Sequence, residues 1–250
     1  MLLKDKVAII TGASRGVGAA TAMRYAREGA CVVVNFAHNA DAANAIVHQI
    51  KSSGGQAVAI CADVSDDEAV GMMVERAKDE FGGSIDILVN NAFPGFIGGM
   101  VGDAKWEDFE KSWEIIVHGA FNCCQAVLPT MVQQHYGCII NVGTTCMYDL
   151  NDASAPYITA KGAMVTMTRS LARDYGKFNI TANMVTPGLV WTDLTEPQPV
   201  PHPSIHAQRT PLGRIANADD LAKACVFFAS ELADFITGVN MPVCGGMIMQ

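Results

Sequence analysis

The chain has 250 residues, half of them hydrophobic, and a formal net charge of −8 at pH 7. This length suffices for one large core, so we predict a single domain over residues 1–250. The acidic charge balance argues against nucleic acid and against an anionic membrane as partners, because both require a basic protein surface.

Seven short apolar runs predict β-strands, and six amphipathic segments between them predict α-helices. The strands are expected at 6–12, 31–36, 56–63, 85–92, 137–143, 179–185 and 238–243, and the helices near 17–28, 40–53, 66–81, 106–135, 155–177 and 217–230. The apolar runs are continuous rather than alternating, which is typical of a parallel sheet covered by helices on both faces. Right-handed crossovers then give a doubly wound, Rossmann-type α/β sheet, whose ligands sit beyond the carboxyl ends of the strands.

The sequence indicates no membrane helix, secretory signal or metal site. No apolar run reaches the ~18 residues of a membrane-crossing helix, and Lys4 brings charge too early for a secretory signal. The eight cysteines form no Cys-x-x-Cys pair, so free thiols in a reducing cytoplasm are expected rather than disulfides or zinc ligands. His202 and His206 have helical spacing, but the prolines at 199, 201 and 203 predict a loop there.

The first strand ends in a glycine-rich turn, "TGASRGVG", which predicts a site for a pyrophosphate. Gly12 permits a tight turn, while Gly16 and Gly18 allow a phosphate to approach the backbone and the helix to approach the strand. The N–H groups and the dipole at the start of the helix would hold the phosphates. At neighbouring strand ends, Asp63 is placed to accept a hydrogen bond from an adenine amine, and "NNA" at 90–92 lies over the same crevice.

Tyr157 and Lys161 lie four residues apart in a predicted helix, so their side chains share one face. A free tyrosine has a pKa of about 10 and is a weak acid at neutral pH. The ammonium of Lys161, together with the positive ring of an oxidised nicotinamide, would lower that pKa. Tyr157 would then give a proton to a carbonyl oxygen as hydride arrives, or take one from an alcohol in the reverse direction. A hydroxyl at the end of the fifth strand would polarise the same oxygen.

These motifs occur in the order and spacing of a known family. "TGASRGVG", "NNA", "YITAK" and "MVTPGLVWT", with the later stretches "TPLGRIANADDLAKACVFFAS" and "ITGVNMPVCGG", resemble the short-chain dehydrogenase/reductase family over essentially the whole chain. The resemblance is nearest to the 3-oxoacyl-acyl-carrier-protein reductases. It implies a one-domain, nicotinamide-dependent oxidoreductase that interconverts a ketone and a secondary alcohol, and it implies a homotetramer.

The resemblance also gives roles to individual residues. Tyr157 is the implied acid/base, and Lys161 is the implied residue that binds the nicotinamide ribose and lowers the tyrosine pKa. The family's serine, thirteen positions before the tyrosine, corresponds to Thr144, with Thr145 as the alternative if the loop shifts by one residue. The family's helix asparagine, which holds a water that relays protons from the lysine, is matched to His118. That histidine either substitutes in the relay or packs between helices without a catalytic part.

Two further regions concern the cofactor. Phe93 replaces the family's usual glycine, and its ring points either into the substrate cavity or at the cofactor. At the end of the second strand, where NAD users of the family carry an acid, "VVVNFAH" offers no carboxylate before Asp41. Arg15 and His38 are placed to meet a 2′-phosphate. We therefore predict NADP(H), with NAD as the alternative.

The implied cofactor site combines the glycine turn, the ends of the second, third and fourth strands, the helix with the tyrosine, and the loop after the sixth strand. Its residues are Gly12, Ser14, Arg15, Gly16, Val17, Gly18, His38, Asp63, Val64, Asn91, Ala92, Phe93, Tyr157, Lys161, Pro187, Gly188, Val190 and Thr192.

The substrate side is predicted to be apolar and partly aromatic, because large apolar residues follow the fourth, fifth and sixth strands. These residues are Phe93, Phe96, Ile97, Met100, Met147, Tyr148, Leu150, Trp191 and Leu194. The segment at approximately 189–212, rich in proline, is predicted to be a lid. The expected substrate is a small-molecule ketone or its alcohol, or an acyl thioester.

Three alternative functions stay open. The first is a 3-oxoacyl-acyl-carrier-protein reductase, for which "VQQHYG" at 132–137 supplies few basic residues to dock an acidic carrier, although Lys177 and Arg209 could compensate. The second is a cofactor-binding regulator that has lost its chemistry, and the third is a structural partner of an active homologue. The last two predict tight NADPH binding without turnover of any carbonyl compound.

Overall fold

The computed structural model describes residues 1–95, 97, 99–148, 154–192 and 203–249. Within those residues the strands are β1 (Val7–Ile10), β2 (Cys31–Phe36), β3 (Gln56–Cys61), β4 (Ile87–Asn90), β5 (Gly137–Val142), β6 (Ile180–Pro187) and β7 (Asn240–Val243). The α-helices are α1 (Gly16–Arg27), α2 (Ala40–Ser52), α3 (Asp67–Phe81), α4 (Trp106–Trp113), α5 (Gly119–Gln134), α6 (Ala155–Tyr175), α7 (Pro203–Arg209) and α8 (Ala218–Ala229). A π-helical segment, Glu114–His118, joins α4 to α5.

The strands form one parallel sheet in the order β3-β2-β1-β4-β5-β6-β7. The order reverses between β1 and β4, which confirms the predicted doubly wound, Rossmann-type sheet. Successive residues of a strand point to opposite faces, so Ile9 packs with α3, α5 and α6, while Ile10 packs with α1, α2 and α8. Both faces are therefore buried, as the continuous apolar runs predict.

Polar side chains fix where several helices begin. Asn39 and Asp66 precede α2 and α3, and each accepts a hydrogen bond, 3.0 Å long, from a backbone N–H of the first helical turn. Asn217 and Asp220 form a reciprocal capping box at the start of α8. At the other end of α3, Gly82 adopts a left-handed conformation that ends the helix.

The observed strands, and six of the helical segments, begin and end within two residues of their predicted bounds. Two differences matter for the site. The stretch predicted as one helix at 106–135 contains the π-helical segment, which inserts an extra residue into a helical turn. The second difference is α7, because His206 was predicted to lie in a loop and lies in a helix. That prediction was wrong because a proline breaks the interior of a helix but suits its first position, where Pro203 stands.

The helical stretch Trp106–Gln134 is long and apolar enough to cross a membrane if judged by length and hydropathy alone. Half of its apolar window is buried in the protein, where Cys123, Val127 and Met131 pack against α3 and the sheet. The hydropathy of this stretch is therefore explained by its place in the core.

Candidate active site

A cavity of about 610 Å³ lies at the carboxyl edge of the sheet, where the strand order reverses. Residues that follow six of the strands line it, together with residues of α6, α7 and the C-terminal segment. Every site residue proposed from the sequence lines this cavity except Gly18 and His118. The cavity therefore combines the glycine turn, the Tyr157–Lys161 pair and the loop after β6 in one place.

The glycine turn has the geometry that a phosphate site needs. Gly12 and Gly16 have φ values of +60° and +59°, a region that residues with a side chain rarely adopt. A Cβ on Gly18 would lie 2.6 Å from Asn91 Nδ2, so this glycine permits close packing and does not line the cavity. Among the described residues, a Cβ on Gly16 would meet nothing nearer than Thr192, at 3.8 Å, so they leave space in front of the N-terminus of α1. An anion in that space would face the unpaired N–H groups of the first helical turn.

The segment after β4 is fastened to this turn. Asn91 Nδ2 donates to the carbonyl oxygens of Thr11, at 2.9 Å, and Gly12, at 3.2 Å. Thr11 Oγ1 accepts from the backbone N–H groups of Asn91 and Ala92, at 2.9 and 3.0 Å. We call these four hydrogen bonds the Thr11–Asn91 clamp. Asn90 instead points into the sheet, where its Nδ2 donates to Asn141 Oδ1 at 2.9 Å.

Asn35, at the end of β2, ties three strand ends together. Its Oδ1 accepts from the N–H of Gly12 at 3.2 Å, and its Nδ2 donates to the carbonyl oxygen of Ala62 at 2.9 Å. The side chain is buried and directed at the backbone. Asn35 therefore shapes the cavity wall, and any group that recognises a ribose must come from neighbouring positions.

Those neighbouring positions carry two basic side chains. Arg15 and His38 both line the cavity and are exposed. Asp63 lines the same end, where its Oδ1 accepts from the N–H and the hydroxyl of Ser65 at 3.0 and 2.7 Å. These hydrogen bonds, aided by His38, lower the pKa of the Asp63 carboxyl. The end of the cavity thus combines one ionised carboxylate with an Arg–His pair able to contact an additional phosphate.

Tyr157 lies in the first turn of α6, where Ser154 caps the helix, and its side chain is 7% exposed. Burial raises the pKa of its phenol, and a hydrogen bond with the Thr144 side chain acts in the opposite direction. Thr144 Oγ1 also accepts a hydrogen bond from the N–H of Cys146 at 3.2 Å. The hydroxyl proton of Thr144 takes no part in that bond and is available to another acceptor. Both threonines are buried, and Thr144, rather than Thr145, is the one paired with the tyrosine.

Lys161 is 4% exposed, and its Nζ donates to the carbonyl oxygen of Val142 at 2.5 Å. Burial lowers its pKa to about 8, so the ammonium form still predominates at neutral pH. This charge was expected to lower the pKa of Tyr157, but in the chain alone burial raises that pKa, and the opposing effect comes from the hydrogen bond with Thr144 and not from Lys161. The tyrosine is consequently held in its protonated form, which suits a proton donor.

The ring of Phe93 contacts Tyr157. The two ring centroids are 5.0 Å apart and the planes are inclined by 59°. The side chain is half-buried and lines the cavity. Phe93 therefore forms part of the wall around the tyrosine.

His118 is not at the site, which corrects the match proposed from the sequence. It is exposed and lines a surface groove with Trp113 and Phe121, away from the cavity. Ile116, two positions earlier in the π-helical segment, is buried in the same cluster as Tyr157. An isoleucine side chain can neither hydrogen-bond a water nor carry a proton, so Ile116 cannot take the part that was assigned to His118.

The loop after β6 forms part of the cavity wall. Pro187, Gly188, Val190 and Thr192 all line it, as the resemblance implies. Gly188 approaches the C-terminal segment, since a Cβ there would lie 3.3 Å from Cys244 Cβ. The loop is held by the hydrogen bond that the N–H of Ala216 donates to the carbonyl oxygen of Leu189, at 3.2 Å.

The substrate side differs most from expectation. Met100 and Tyr148 are exposed. Three further residues do not line the cavity, namely Ile97, Met147 and Trp191. The predictions for Phe96, Leu150, Leu194, His202 and the 193–202 part of the proposed lid fall outside the described residues. The cavity lining also includes Ile115, Cys146, Leu189, His206 and Met247, which were not predicted to lie there. They come from distant parts of the chain, and only the helical spacing of His202 and His206 drew attention to one of them.

Known proteins resemble this chain over nearly its whole length. Residues 12–248 match the family model described as enoyl-(acyl carrier protein) reductase. A 3-oxoacyl-[acyl-carrier-protein] reductase of Staphylococcus epidermidis is 35% identical over 249 residues, which are 98% of this chain and 100% of the relative. A (2S)-[(R)-hydroxy(phenyl)methyl]succinyl-CoA dehydrogenase subunit of Thauera aromatica is 35% identical over 98% of both chains.

Solved structures also resemble this chain over nearly its whole length. A variant of a Serratia marcescens short-chain dehydrogenase/reductase superimposes with a TM-score of 0.90 at 33% identity, over 99% of both chains. A gluconate 5-dehydrogenase from Burkholderia cenocepacia, solved with NADP and tartrate, superimposes with a TM-score of 0.89 at 30% identity, over 98% of this chain and 96% of that one.

Proposed function

The chain belongs to the short-chain dehydrogenase/reductase family of oxidoreductases, and we propose that it reduces a ketone to a secondary alcohol with NADPH and catalyses the reverse oxidation with NADP. The observation that carries this proposal is the buried hydrogen bond between Thr144 and Tyr157, next to Lys161 in a cavity that also contains the glycine turn. Such an arrangement has the groups for proton transfer to a carbonyl oxygen beside a place for a dinucleotide.

The described residues fit a dinucleotide. The open space at Gly16 and the N-terminus of α1 suit its pyrophosphate, and Asp63 suits the adenine amine. When bound, NADPH supplies the hydride. The Arg15–His38 pair, with no carboxylate between Asn35 and Asn39, supports NADP(H) over NAD(H), and the gluconate 5-dehydrogenase relative was solved with NADP.

The proposed acid is the phenol of Tyr157, which burial keeps protonated. It donates its proton to the substrate oxygen as the hydride reaches the carbonyl carbon, so that the ketone gains one hydride and one proton. Thr144 donates a second hydrogen bond to that oxygen and stabilises its developing negative charge. Lys161 supplies a positive charge behind the tyrosine, which stabilises the phenolate that remains.

Replacement of Tyr157 by Phe tests this mechanism. The change removes the acid and keeps the ring that packs on Phe93, so NADPH should bind with unchanged affinity. Reduction of a panel of ketones and 3-oxoacyl esters, followed by NADPH absorbance, should slow by about 10²–10⁴-fold. Equal rates in the variant and the parent would disprove the mechanism. Tight NADPH binding without turnover in the parent would favour the cofactor-binding regulator or the structural partner.

A 3-oxoacyl-acyl-carrier-protein reductase is the second candidate, because the Staphylococcus relative carries that name at 35% identity. The surface at the end of α5 gives it little support. The Gln134 side chain there donates to the backbone oxygens of Ile85 and Tyr136, and the His135 ring packs 6.2 Å from that of Phe178. We therefore favour a free ketone or a small acyl thioester. A kcat/KM at least about tenfold higher for 3-oxobutyryl carrier protein than for 3-oxobutyryl-coenzyme A would reverse this preference.

We also propose that the protein is a cytoplasmic homotetramer. Support comes from the groove along α4 and α5, where Trp113 and Phe121 are 41% and 47% exposed in the single chain. Exposed aromatic residues in one groove are typical of a protein–protein interface. Light scattering after size-exclusion chromatography should give four times the 26.6 kDa chain mass.

A further inference from the structure

His206 is a buried polar side chain that the proposed mechanism does not use. It lies in α7, is 5% exposed, and lines the same cavity as Tyr157. Within the described residues neither Nδ1 nor Nε2 of its ring has a hydrogen-bond partner. An unpaired buried polar group is destabilising, so native proteins rarely retain one without a function.

The position of His206 is fixed by its neighbours. Thr210 Oγ1 donates to the carbonyl oxygen of His206 at 2.8 Å. The methyl group of Thr210 fits against Gly245, where a Cβ would lie only 2.7 Å away. The N–H of Leu212 donates to the carbonyl oxygen of Gly245 at 3.1 Å. The end of α7 is therefore attached to the C-terminal segment, and the unpaired ring is not the result of a loosely placed helix.

The described walls of the cavity offer no acidic partner near α7. Asp63 is the one carboxylate among the described lining residues, and it follows β3, at the opposite end of the sheet from β6 and β7. Leu189 and Met247, from the segments beside α7, are apolar. Among the described residues the imidazole therefore has no partner, and a bound ligand that carries an acceptor would satisfy its ring N–H.

We propose that His206 binds the substrate by donating a hydrogen bond to a second oxygen, a carbonyl or carboxylate oxygen of an acyl group, in addition to the ketone oxygen at Tyr157. This inference rests on the proposed ketone reduction and narrows its substrate class to ketones that carry an acyl group. His206 is then a specificity residue, since a plain alkyl ketone leaves its ring unpaired.

The test compares His206→Leu, His206→Gln and the parent on four ketones. Three carry an acyl oxygen, namely 3-oxobutyryl-coenzyme A, ethyl 3-oxobutanoate and 3-oxobutanoate, and the fourth, 2-hexanone, does not. In His206→Leu, kcat/KM for the acyl ketones should fall about 10- to 100-fold, while that for 2-hexanone should change less than about threefold. His206→Gln, which keeps an N–H donor, should recover part of the loss. A larger loss for 3-oxobutanoate than for its ester would identify a carboxylate as the partner, and the reverse would identify a neutral acyl carbonyl.

The control is Gln208→Leu, an exposed polar residue of the same helix, which should leave the ratios between substrates unchanged. Equal losses in His206→Leu for all four ketones, or no loss for any, would overturn the inference. A parent that reduces none of them would contradict the proposed function instead. In that case, calorimetry of ethyl 3-hydroxybutanoate in the presence of NADP decides the inference. Weaker binding to His206→Leu than to the parent supports it, and equal binding overturns it.

Discussion

The nucleotide end and the substrate end of the cavity are built by different kinds of contact. At the nucleotide end, Thr11, Asn35 and Asn91 hydrogen-bond to backbone atoms and hold the ends of β1, β2 and β4 in fixed positions. At the substrate end, side chains from remote segments meet by packing, as the rings of Phe93 and Tyr157 do. His206 there is buried without a partner among the described residues. Hydrogen bonds to the backbone fix the nucleotide end, while packed side chains from remote segments form the substrate end.

The largest effect that sharpens this contrast is expected from Thr144→Val. The change keeps the shape of the side chain and removes the hydroxyl that pairs with Tyr157. Without this donor kcat should fall about 10²–10³-fold, while the Kd for NADPH should change little. Thr144→Ser keeps the hydroxyl and should retain most of the activity. Stopped-flow reduction rates report on the substrate end, and fluorescence titration of NADPH reports on the nucleotide end. A loss of activity in Thr144→Ser comparable to that in Thr144→Val would argue against the hydroxyl as donor.

Gly18→Ala tests the nucleotide end. The added Cβ would lie 2.6 Å from Asn91 Nδ2 and from the Gly12 carbonyl oxygen, so the Thr11–Asn91 clamp must shift. We expect a loss of about 1–3 kcal/mol in the free energy of unfolding and weaker NADPH binding. Gly71→Ala in α3 is the matched control, because a Cβ there meets nothing within 4 Å and should stabilise the helix by up to about 1 kcal/mol. Urea unfolding of both variants checks the difference.

Lys161→Met should make the folded protein more stable at pH 7, because the parent buries a charge whose pKa is lowered from 10.5 to about 8. Below pH 8 both folded and unfolded states carry the proton, and the full penalty of burial applies. Between pH 8 and 10.5 the folded state releases the proton first, so the parent gains stability relative to the variant. Each unit by which burial lowers the pKa corresponds to about 1.4 kcal/mol. The free energy of unfolding of the variant at pH 7 should therefore exceed that of the parent by at most about 3 kcal/mol.

Urea unfolding without cofactor at pH 7.0 and 9.5 measures this difference. A stability gain that is the same at both pH values would contradict a lowered pKa of Lys161. The variant should also lose ketone reduction, since it lacks the charge behind Tyr157.

The smallest effect is expected from His118→Ala. Because His118 faces the outer groove and Ile116 packs with Tyr157, kcat should change less than about twofold across pH 6–9. A pH-rate profile of the variant provides the measurement. A loss of more than tenfold, or a shifted pH profile, would restore the histidine to a proton relay.

The fold and the nucleotide end were predictable from sequence because local patterns determine them. Glycine adopts the left-handed conformations of Gly12 and Gly16 without strain, and short continuous apolar runs separated by amphipathic segments are typical of buried parallel strands. His118 was matched by a short motif alone, and only the structure shows that it is exposed and that Ile116, two positions earlier, is buried in the cluster of Tyr157. Met247 and His206 reach the cavity through tertiary packing, which no local pattern encodes.

The Thr11–Asn91 clamp has a practical consequence for changing what this enzyme accepts. The clamp and Asn35 hold the strand ends through backbone atoms. Libraries that vary residues 93, 189, 206 and 247 therefore change side chains that line the cavity without removing a hydrogen bond of the glycine turn. Laboratory evolution can therefore change which substrate the enzyme accepts while cofactor binding stays the same.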